Sequence, residues 1–147
     1  MKKIKTILII LAIILLAILL WWFFTADKKT GYINETKILG NTEDLVSFSV
    51  EPGQEVSGEI IATGSIKGGY FFEGNILVNI LDDNKKLLRA GNGNAKTDWM
   101  TSEPVGFDAI LDFTKLKKGN AYIEIHNDNA SGLPEKDKSI LIPIIIN

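Results

Sequence analysis

The sequence predicts an all-β domain that follows one N-terminal apolar segment. After residue 44, apolar and polar residues alternate in several short runs, which is typical of strands with one buried face. Turn-forming residues separate these runs about every 8–12 positions, and no helical period appears after the apolar segment. About seven such strands in about 100 residues predict an antiparallel β-sandwich of immunoglobulin-like type, with a small closed barrel as the alternative.

Each strand is predicted from the apolar face of one run. Ile76, Val78 and Ile80 define the clearest face. The final run contains Pro143, which predicts a sheet edge or a bulge there because proline lacks the N–H that a strand ladder needs. The predicted strands are 45–50 (with Val46, Phe48 and Val50 alternating), 55–63, 76–81, 87–91, 107–113 (with Phe107, Ala109, Leu111 and Phe113 on one face), 121–126 and 139–146.

The domain organisation has three predicted parts. Residues 1–26 form a membrane anchor, 27–44 form a polar tether without a period, and 45–147 form the sandwich. Every residue in 7–24 is apolar, and eighteen helical residues span about 27 Å, close to the hydrocarbon thickness of a bilayer. Two tryptophans end this segment, as is typical of a membrane–water boundary. The segment therefore predicts one transmembrane helix.

A cleaved signal peptide is the alternative interpretation of the N-terminal segment. Signal peptides have shorter apolar cores and small residues before the cleavage site, whereas Phe24 stands where a small residue is wanted before Ala26. Cleavage would leave a mature chain that starts near Asp27. If the segment is retained as a signal-anchor, the three lysines within residues 2–5 favour a cytoplasmic N-terminus and an extracytoplasmic domain.

Composition argues against several kinds of site. There is no cysteine, which excludes disulfides, thiolate metal sites and a cysteine nucleophile. The formal net charge is −2, and without a basic stripe we expect no nucleic-acid partner. His126 is the only histidine, and no carboxylate pair or phosphate-binding glycine loop is recognisable. We therefore expect no enzymatic activity, no catalytic residue and no cofactor.

Three motifs carry a family resemblance. Residues 69–88, 98–101 and 127–144 follow one another at spacings that resemble the immunoglobulin-like domain of bacterial spore germination proteins, often found beside a GerMN-type domain. The resemblance covers 45–147 and implies a sandwich fold, an envelope location and no enzymatic activity. Pro104 and Gly106 depart from the family pattern. The matching positions are Phe71, Phe72, Glu73, Asp98, Trp99, Met100, Thr101, Asn129, Ser131, Gly132, Leu133 and Pro134.

The loop that contains Trp99 and Met100 carries two large apolar side chains between polar flanks. One interpretation is a plug, in which the indole covers an open end of the sandwich while Asp98 and Thr101 hydrogen-bond to loop backbone. The other is a contact surface on which Trp99 stands exposed. The two polar flanking residues favour the plug.

Two further loops supply candidate site residues. Glu73 lies among aromatic residues, where we expect a hydrogen bond to loop backbone, with a ligand-binding carboxylate as the alternative. The polar loop 126–139 matches no calcium motif and is rich in turn formers, so we expect no metal site. The candidate binding residues are Tyr70, Phe72, Glu73, Asp98, Trp99, Met100, Asn129, Ser131, Leu133 and Pro134.

The functional expectation is a non-enzymatic, membrane-anchored domain of the bacterial envelope. It would contact another envelope protein or a wall polymer through loops at one end, and the resemblance implies a sporulation or germination role. A carbohydrate- or peptidoglycan-binding module is the alternative, which needs Tyr70, Phe72 or Trp99 as exposed aromatic residues. A single site also requires that Trp99 does not lie far from both Glu73 and Ser131.

Overall fold

The computed structural model of the protein describes Leu15 and residues 37–147. The chain divides into two units, Met1–Gly31 and Tyr32–Asn147, and every described strand belongs to the second. Among the described residues, no helix has the length and apolar character needed to cross a membrane. The predicted anchor segment 7–24 lies outside them, apart from Leu15, which is helical.

Ten strands and two short 3₁₀ turns make up the described part of the second unit. The turns are Thr42–Asp44 and Pro134–Lys136. All strand pairs are antiparallel except that of β3 with β10. The strands are β1 (Leu39–Gly40), β2 (Leu45–Phe48), β3 (Gln54–Val56), β4 (Glu59–Lys67), β5 (Asn75–Asp82), β6 (Leu87–Arg89), β7 (Asn92–Ala95), β8 (Pro104–Asp112), β9 (Gly119–His126) and β10 (Ser139–Ile146).

The strands form two groups that share one core. One group runs in the order β2, β4, β8 and β7, and the other runs β1, β10, β9 and β5, with β3 beside β10 and β6 beside β5. β7 pairs with both β5 and β8 and so links the groups. Consecutive strands β4 and β5 fall in different groups, which is consistent with an immunoglobulin-like sandwich.

The predicted apolar faces of two strands are confirmed by burial. Seven residues of these faces are no more than 2% exposed: Ile76, Val78, Ile80, Phe107, Ala109, Leu111 and Phe113. They pack in one cluster with Ile123 of β9 and Ile142 of β10. On the opposite face of β8, Ile110 is 59% exposed. The alternation of buried and exposed positions follows the two-residue period of a strand.

The predicted strand 55–63 is instead two strands. β3 pairs with β10, whereas β4 pairs with β8, so the chain changes from one group to the other between them. Gly58 lies at this change with φ of +66°, a conformation that glycine adopts without steric cost. The apolar–polar alternation continues through this turn, so the sequence pattern does not indicate that the strand ends there.

Other strand ends also differ from the prediction. β8 begins at Pro104 rather than Phe107, and Pro104 lies opposite Lys67 at the end of the β4–β8 ladder. Val46 is 60% exposed because a register shift in β2 breaks the predicted alternation with Phe48 and Val50. β7 has the sequence Asn-Gly-Asn-Ala and carried no strand signal.

On the outer side of β10, Pro143 lies outside both strand ladders. On that side, β1 pairs with residues 140–141 and β3 with 144–146, which leaves a gap at Pro143. On the inner side Pro143 lies opposite Tyr122 of β9. The predicted edge strand or bulge is therefore wrong: β10 is paired on both sides and its register with β9 is unbroken, and the proline is tolerated because it falls between the two outer ladders.

The folded domain begins before residue 45. β1 pairs with β10, the N–H of Asn41 donates to the carbonyl oxygen of Ser139 at 2.9 Å, and the N–H of Ser139 donates to Asn41 Oδ1 at 3.2 Å. Asp44 is buried. The described part of the expected tether 27–44 therefore belongs to the sandwich. A strand of only two residues is too short to show a period in the sequence.

Candidate functional site

The three sequence motifs meet at one end of the sandwich. The N–H of Gly68 donates to the carbonyl oxygen of Glu103 at 3.0 Å, and the N–H of Asp128 donates to that of Tyr70 at 3.1 Å. The β4–β5 connection thus lies between the other two loops. We call the three connecting segments, with Lys67 at the end of β4, the loop end; it comprises residues 67–74, 96–103 and 127–138.

Glycines allow close approach between the first two segments. A Cβ on Gly68 would lie 1.5 Å from the carbonyl oxygen of Thr101, so no other residue fits without a backbone shift. A Cβ on Gly74 would lie 3.6 Å from Cδ1 of Trp99. The indole therefore lies close to Gly74, the residue that follows Glu73 in the chain. Ser131 belongs to the third segment, which meets the first at Tyr70. These contacts place Trp99 near Glu73 and join the segment of Ser131 to that of Tyr70.

Trp99 and Met100 have different environments although they are neighbours. Trp99 is partly buried and packs against the core, as a plug would, whereas Met100 is 76% exposed. Asp98 Oδ1 accepts a hydrogen bond from the N–H of Met100, and Thr101 Oγ1 accepts one from the N–H of Glu103, both at 3.1 Å. The expected bonds to loop backbone are therefore present.

Tyr70 is a core residue and not an exposed aromatic. Its side chain is fully buried, and its hydroxyl donates to Asp44 Oδ2 at 3.2 Å. Asp44 Oδ1 accepts a hydrogen bond from Lys67 Nζ at 3.1 Å. Lys138 Nζ lies 3.6 Å from Asp44 Oδ2 and 5.4 Å from the centre of the Tyr70 ring. Burial and this bond remove Tyr70 from the candidate contact residues.

The charge of Asp44 is stabilised by its partners. Burial alone raises the pKa of a carboxyl group, but the Lys67 hydrogen bond, the Lys138 charge and the Tyr70 hydrogen bond together outweigh burial and lower the pKa of Asp44. Burial, followed by the charge and hydrogen bond of Asp44, raises the pKa of Tyr70 far above its usual value. At neutral pH the carboxylate of Asp44 is therefore ionised and the hydroxyl of Tyr70 is neutral. This pairing serves the structure of the domain.

Local hydrogen bonds organise the third segment. Asn129 Nδ2 donates to the carbonyl oxygen of Leu133 at 2.8 Å and to Asp137 Oδ1 at 2.7 Å, while Asn129 Oδ1 accepts from Ser131 Oγ at 2.6 Å. Pro134 begins a 3₁₀ turn, and Leu133 immediately before it is 43% exposed. Asn129 and Ser131 thus shape the loop, and Leu133 is its apolar surface residue.

The first segment has two exposed candidates. Phe72 is 42% exposed. Glu73 is exposed and has φ of +51°, which is uncommon for a residue with a side chain. Its carboxylate has no hydrogen-bond or ion-pair partner in the described chain, so the expected bond to loop backbone is absent.

Sequence reasoning missed the buried carboxylate that supports the loop end. Asp44 has Lys67 and Tyr70 as partners, 23 and 26 residues later in the chain. It lies in a polar segment without a period, so no local pattern marked it. No local pattern marked Lys138 either, because it lies in a loop rich in charged residues.

A polar cleft adjoins the third segment. Its volume is about 430 Å³, and its lining comprises Gly69, residues 127–131, Glu135, Lys136 and Lys138. In the part of the chain that the structure describes, no group of three histidine, cysteine or acidic side chains is arranged to hold a metal ion. The cleft offers amide, hydroxyl and charged groups for hydrogen bonding.

Comparison with known proteins identifies the family. A model described as the immunoglobulin-like domain of bacterial spore germination matches residues 48–133, which include the first two segments of the loop end and the third as far as Leu133. Neither the curated proteins nor the solved structures gave a match. Because the matched range covers more than half of the 147 residues, the chain belongs to the family of immunoglobulin-like domains of bacterial spore germination.

Proposed function

We propose that this protein is a membrane-anchored, extracytoplasmic domain of the bacterial envelope that binds another envelope protein through the loop end, in a process related to germination or sporulation. One observation carries the proposal: each of the three segments exposes one large apolar side chain. Phe72 is 42% exposed, Met100 is 76% exposed and Leu133 is 43% exposed. Exposed apolar residues grouped on loops of a rigid scaffold are typical of contact surfaces.

The supporting structure favours binding because it holds the loops in one shape before a partner arrives. Gly68 packs against Thr101, Trp99 packs against the core, and Tyr70 is tied to Asp44. A preformed surface loses less conformational entropy on association than a mobile one. The buried titratable groups, Asp44 and Tyr70, are engaged with each other, so the site is proposed to bind and not to catalyse.

The anchoring part of the proposal rests on the apolar segment 7–24 and on the three lysines that precede it. The family adds the link to germination.

A single cysteine introduced at Asp83, in an otherwise cysteine-free chain, tests the topology. We expect a membrane-impermeant maleimide to label it in intact protoplasts, with the chain pelleting with membranes. Loss of the chain to the medium would contradict anchoring.

Partner binding is tested by a photo-crosslinking amino acid at Met100, with the same probe at Ile110 as the matched control. Both positions are exposed, but Ile110 lies on the outer face of β8 and outside the loop end. We expect a discrete crosslinked product from Met100 that is absent from Ile110. Equal products from both positions, or none from Met100, would contradict the proposal.

Carbohydrate binding is the second candidate, and the polar cleft beside Gly69 is the observation that favours it. Of the three aromatic residues expected for this candidate, the burial of Tyr70 leaves Phe72 and the partly buried Trp99 for stacking on a sugar ring. Sedimentation with purified peptidoglycan separates the two candidates. Retention that is lost in Phe72→Ala would favour the sugar, whereas no retention favours the protein partner.

A further inference from the structure

The charges around the loop end are strongly unbalanced. The loop end and the adjoining residues 41–44 contain eight carboxylates and four lysines, a formal net charge of −4, whereas the whole chain has −2. This region is thus more acidic than the protein as a whole. The same segments carry the three exposed apolar side chains of the proposed contact surface.

Ion pairs within the fold already occupy most of the lysines. Lys67 and Lys138 both lie beside Asp44, at 3.1 Å and 3.6 Å. Lys96 Nζ lies 2.7 Å from Asp108 Oδ1 in β8. Within the described residues, Lys136 is the only one of the four lysines without an ion pair. The basic side chains therefore neutralise little of the surface charge.

The carboxylates, in contrast, are mostly uncompensated. Apart from Asp44, none of them has a basic group within ion-pair distance in the described chain. Glu73 and Glu103 lie in the two segments that meet beside Trp99 and Met100. Asp98 and Asp137 accept only hydrogen bonds from within their own loops. The seven are Glu43, Glu73, Asp98, Glu103, Asp128, Glu135 and Asp137.

We infer that the partner of the loop end is a cationic protein segment, with apolar side chains that contact Phe72, Met100 and Leu133 and with flanking lysines or arginines that face the unpaired carboxylates. The inference rests on the proposed function and adds the chemistry of the partner. Complementary charge raises association rates and disfavours wrong partners. An anionic wall polymer, an anionic lipid surface and a second copy of the loop end all carry the wrong charge.

The test uses the full chain in neutral detergent micelles and three fluorescent peptides of equal length. The peptides share one pattern of leucine and phenylalanine and differ only in flanks of lysine, glutamine or glutamate. We expect the lysine peptide to bind about tenfold more tightly than the glutamine peptide at low salt, and that preference to shrink in high salt. The glutamate peptide should bind least.

Matched double variants locate the effect. Glu73→Gln with Glu103→Gln removes two unpaired carboxylates from the loop end. Glu51→Gln with Asp83→Asn removes two carboxylates that lie outside the loop end and have no ion pair in the described chain. The preference for lysine should fall several-fold in the first variant and stay unchanged in the second.

The possible outcomes separate this inference from the proposed function. Equal binding of all three peptides that is lost in Met100→Ser would overturn the cationic partner and leave the contact surface in place. An equal loss of preference in both double variants would also overturn it, because the attraction would then come from net charge alone. If no peptide binds, or if Met100→Ser has no effect, the inference and the contact surface both fail.

Discussion

The hydroxyl of Tyr70 donates a hydrogen bond of 3.2 Å to Asp44 Oδ2 and so ties the chain before β2 to the middle of the loop end. Both residues are buried, and the acceptor is an ionised carboxylate that Lys67 and Lys138 also approach. Charge-assisted bonds of this kind are stronger than neutral ones. The shape of the loop end therefore depends on a residue outside the three motif loops.

Removal of the Tyr70 hydroxyl should destabilise the domain. In Tyr70→Phe the buried carboxylate of Asp44 loses one donor, and we expect the free energy of unfolding to fall by about 2 kcal/mol. Urea denaturation measures the change. A double-mutant cycle with Asp44→Asn should give a coupling energy of about 1 kcal/mol or more. Additive effects of the two substitutions would show that the bond does not contribute.

Stability should fall at acid pH because of Asp44. The pKa of Asp44 is lower in the folded state than its usual value of 3.8, so the unfolded chain binds more protons between these two values. The stabilisation is present above about pH 4 and is lost as the pH falls through the folded-state pKa. Asp44→Asn should be less stable at neutral pH and show a shallower decline below about pH 4.

Asp83→Asn is the control for the acid prediction because Asp83 lies exposed in a turn. Denaturant midpoints from neutral to strongly acid pH measure the slope. An Asp44→Asn slope equal to that of the parent chain would contradict the assignment of the acid effect to this residue.

Trp99 should report a partly apolar environment. In a chain with Trp21→Phe and Trp22→Phe, the remaining emission comes from Trp99, since the sequence has three tryptophans. We expect emission that is blue-shifted from that of free indole and only moderate quenching by acrylamide. Trp99→Ala should cost about 2 kcal/mol because a partly buried aromatic ring is lost from the core edge. Emission like that of indole in water would contradict the packing.

Gly68→Ala should separate the first two segments of the loop end. The new Cβ would lie 1.5 Å from the backbone oxygen of Thr101, so the backbone must move and we expect a loss of about 3 kcal/mol. Gly106→Ala is the matched control, because the nearest atoms to its new Cβ lie at 3.8 Å. Thermal unfolding compares the two. Similar small losses in both variants would show that the segments do not pack tightly.

Sequence reasoning was most reliable where one face of a long strand is buried. β5 and β8 bury the residues that their two-residue period predicts, because a one-residue slip would turn all of them to solvent. It failed for β1 and β7, which have two and four residues, and at Gly58, where the alternation continues across a turn. Short strands form through pairing with distant partners, which a local pattern does not record.

At the candidate site, the sequence identified the three motif loops and the residues that shape them. Asp98, Thr101, Asn129 and Ser131 make the kind of local hydrogen bonds that their residue types predict. The sequence did not show whether Trp99 or Met100 faces solvent. Trp99 and Met100 are both large and apolar, and only the approach of Gly74 and the core gives one of them a packed position.

By itself, then, the sequence determined an all-β domain of the germination family, because strand period, turn residues and motif order are local properties of the chain. Tertiary structure alone decided the roles of individual residues. Tyr70 became a buried donor, Asp44 became part of the fold, and Met100 became a solvent-exposed residue. The reason is physical: burial and ion pairing depend on partners that the fold brings together across dozens of residues.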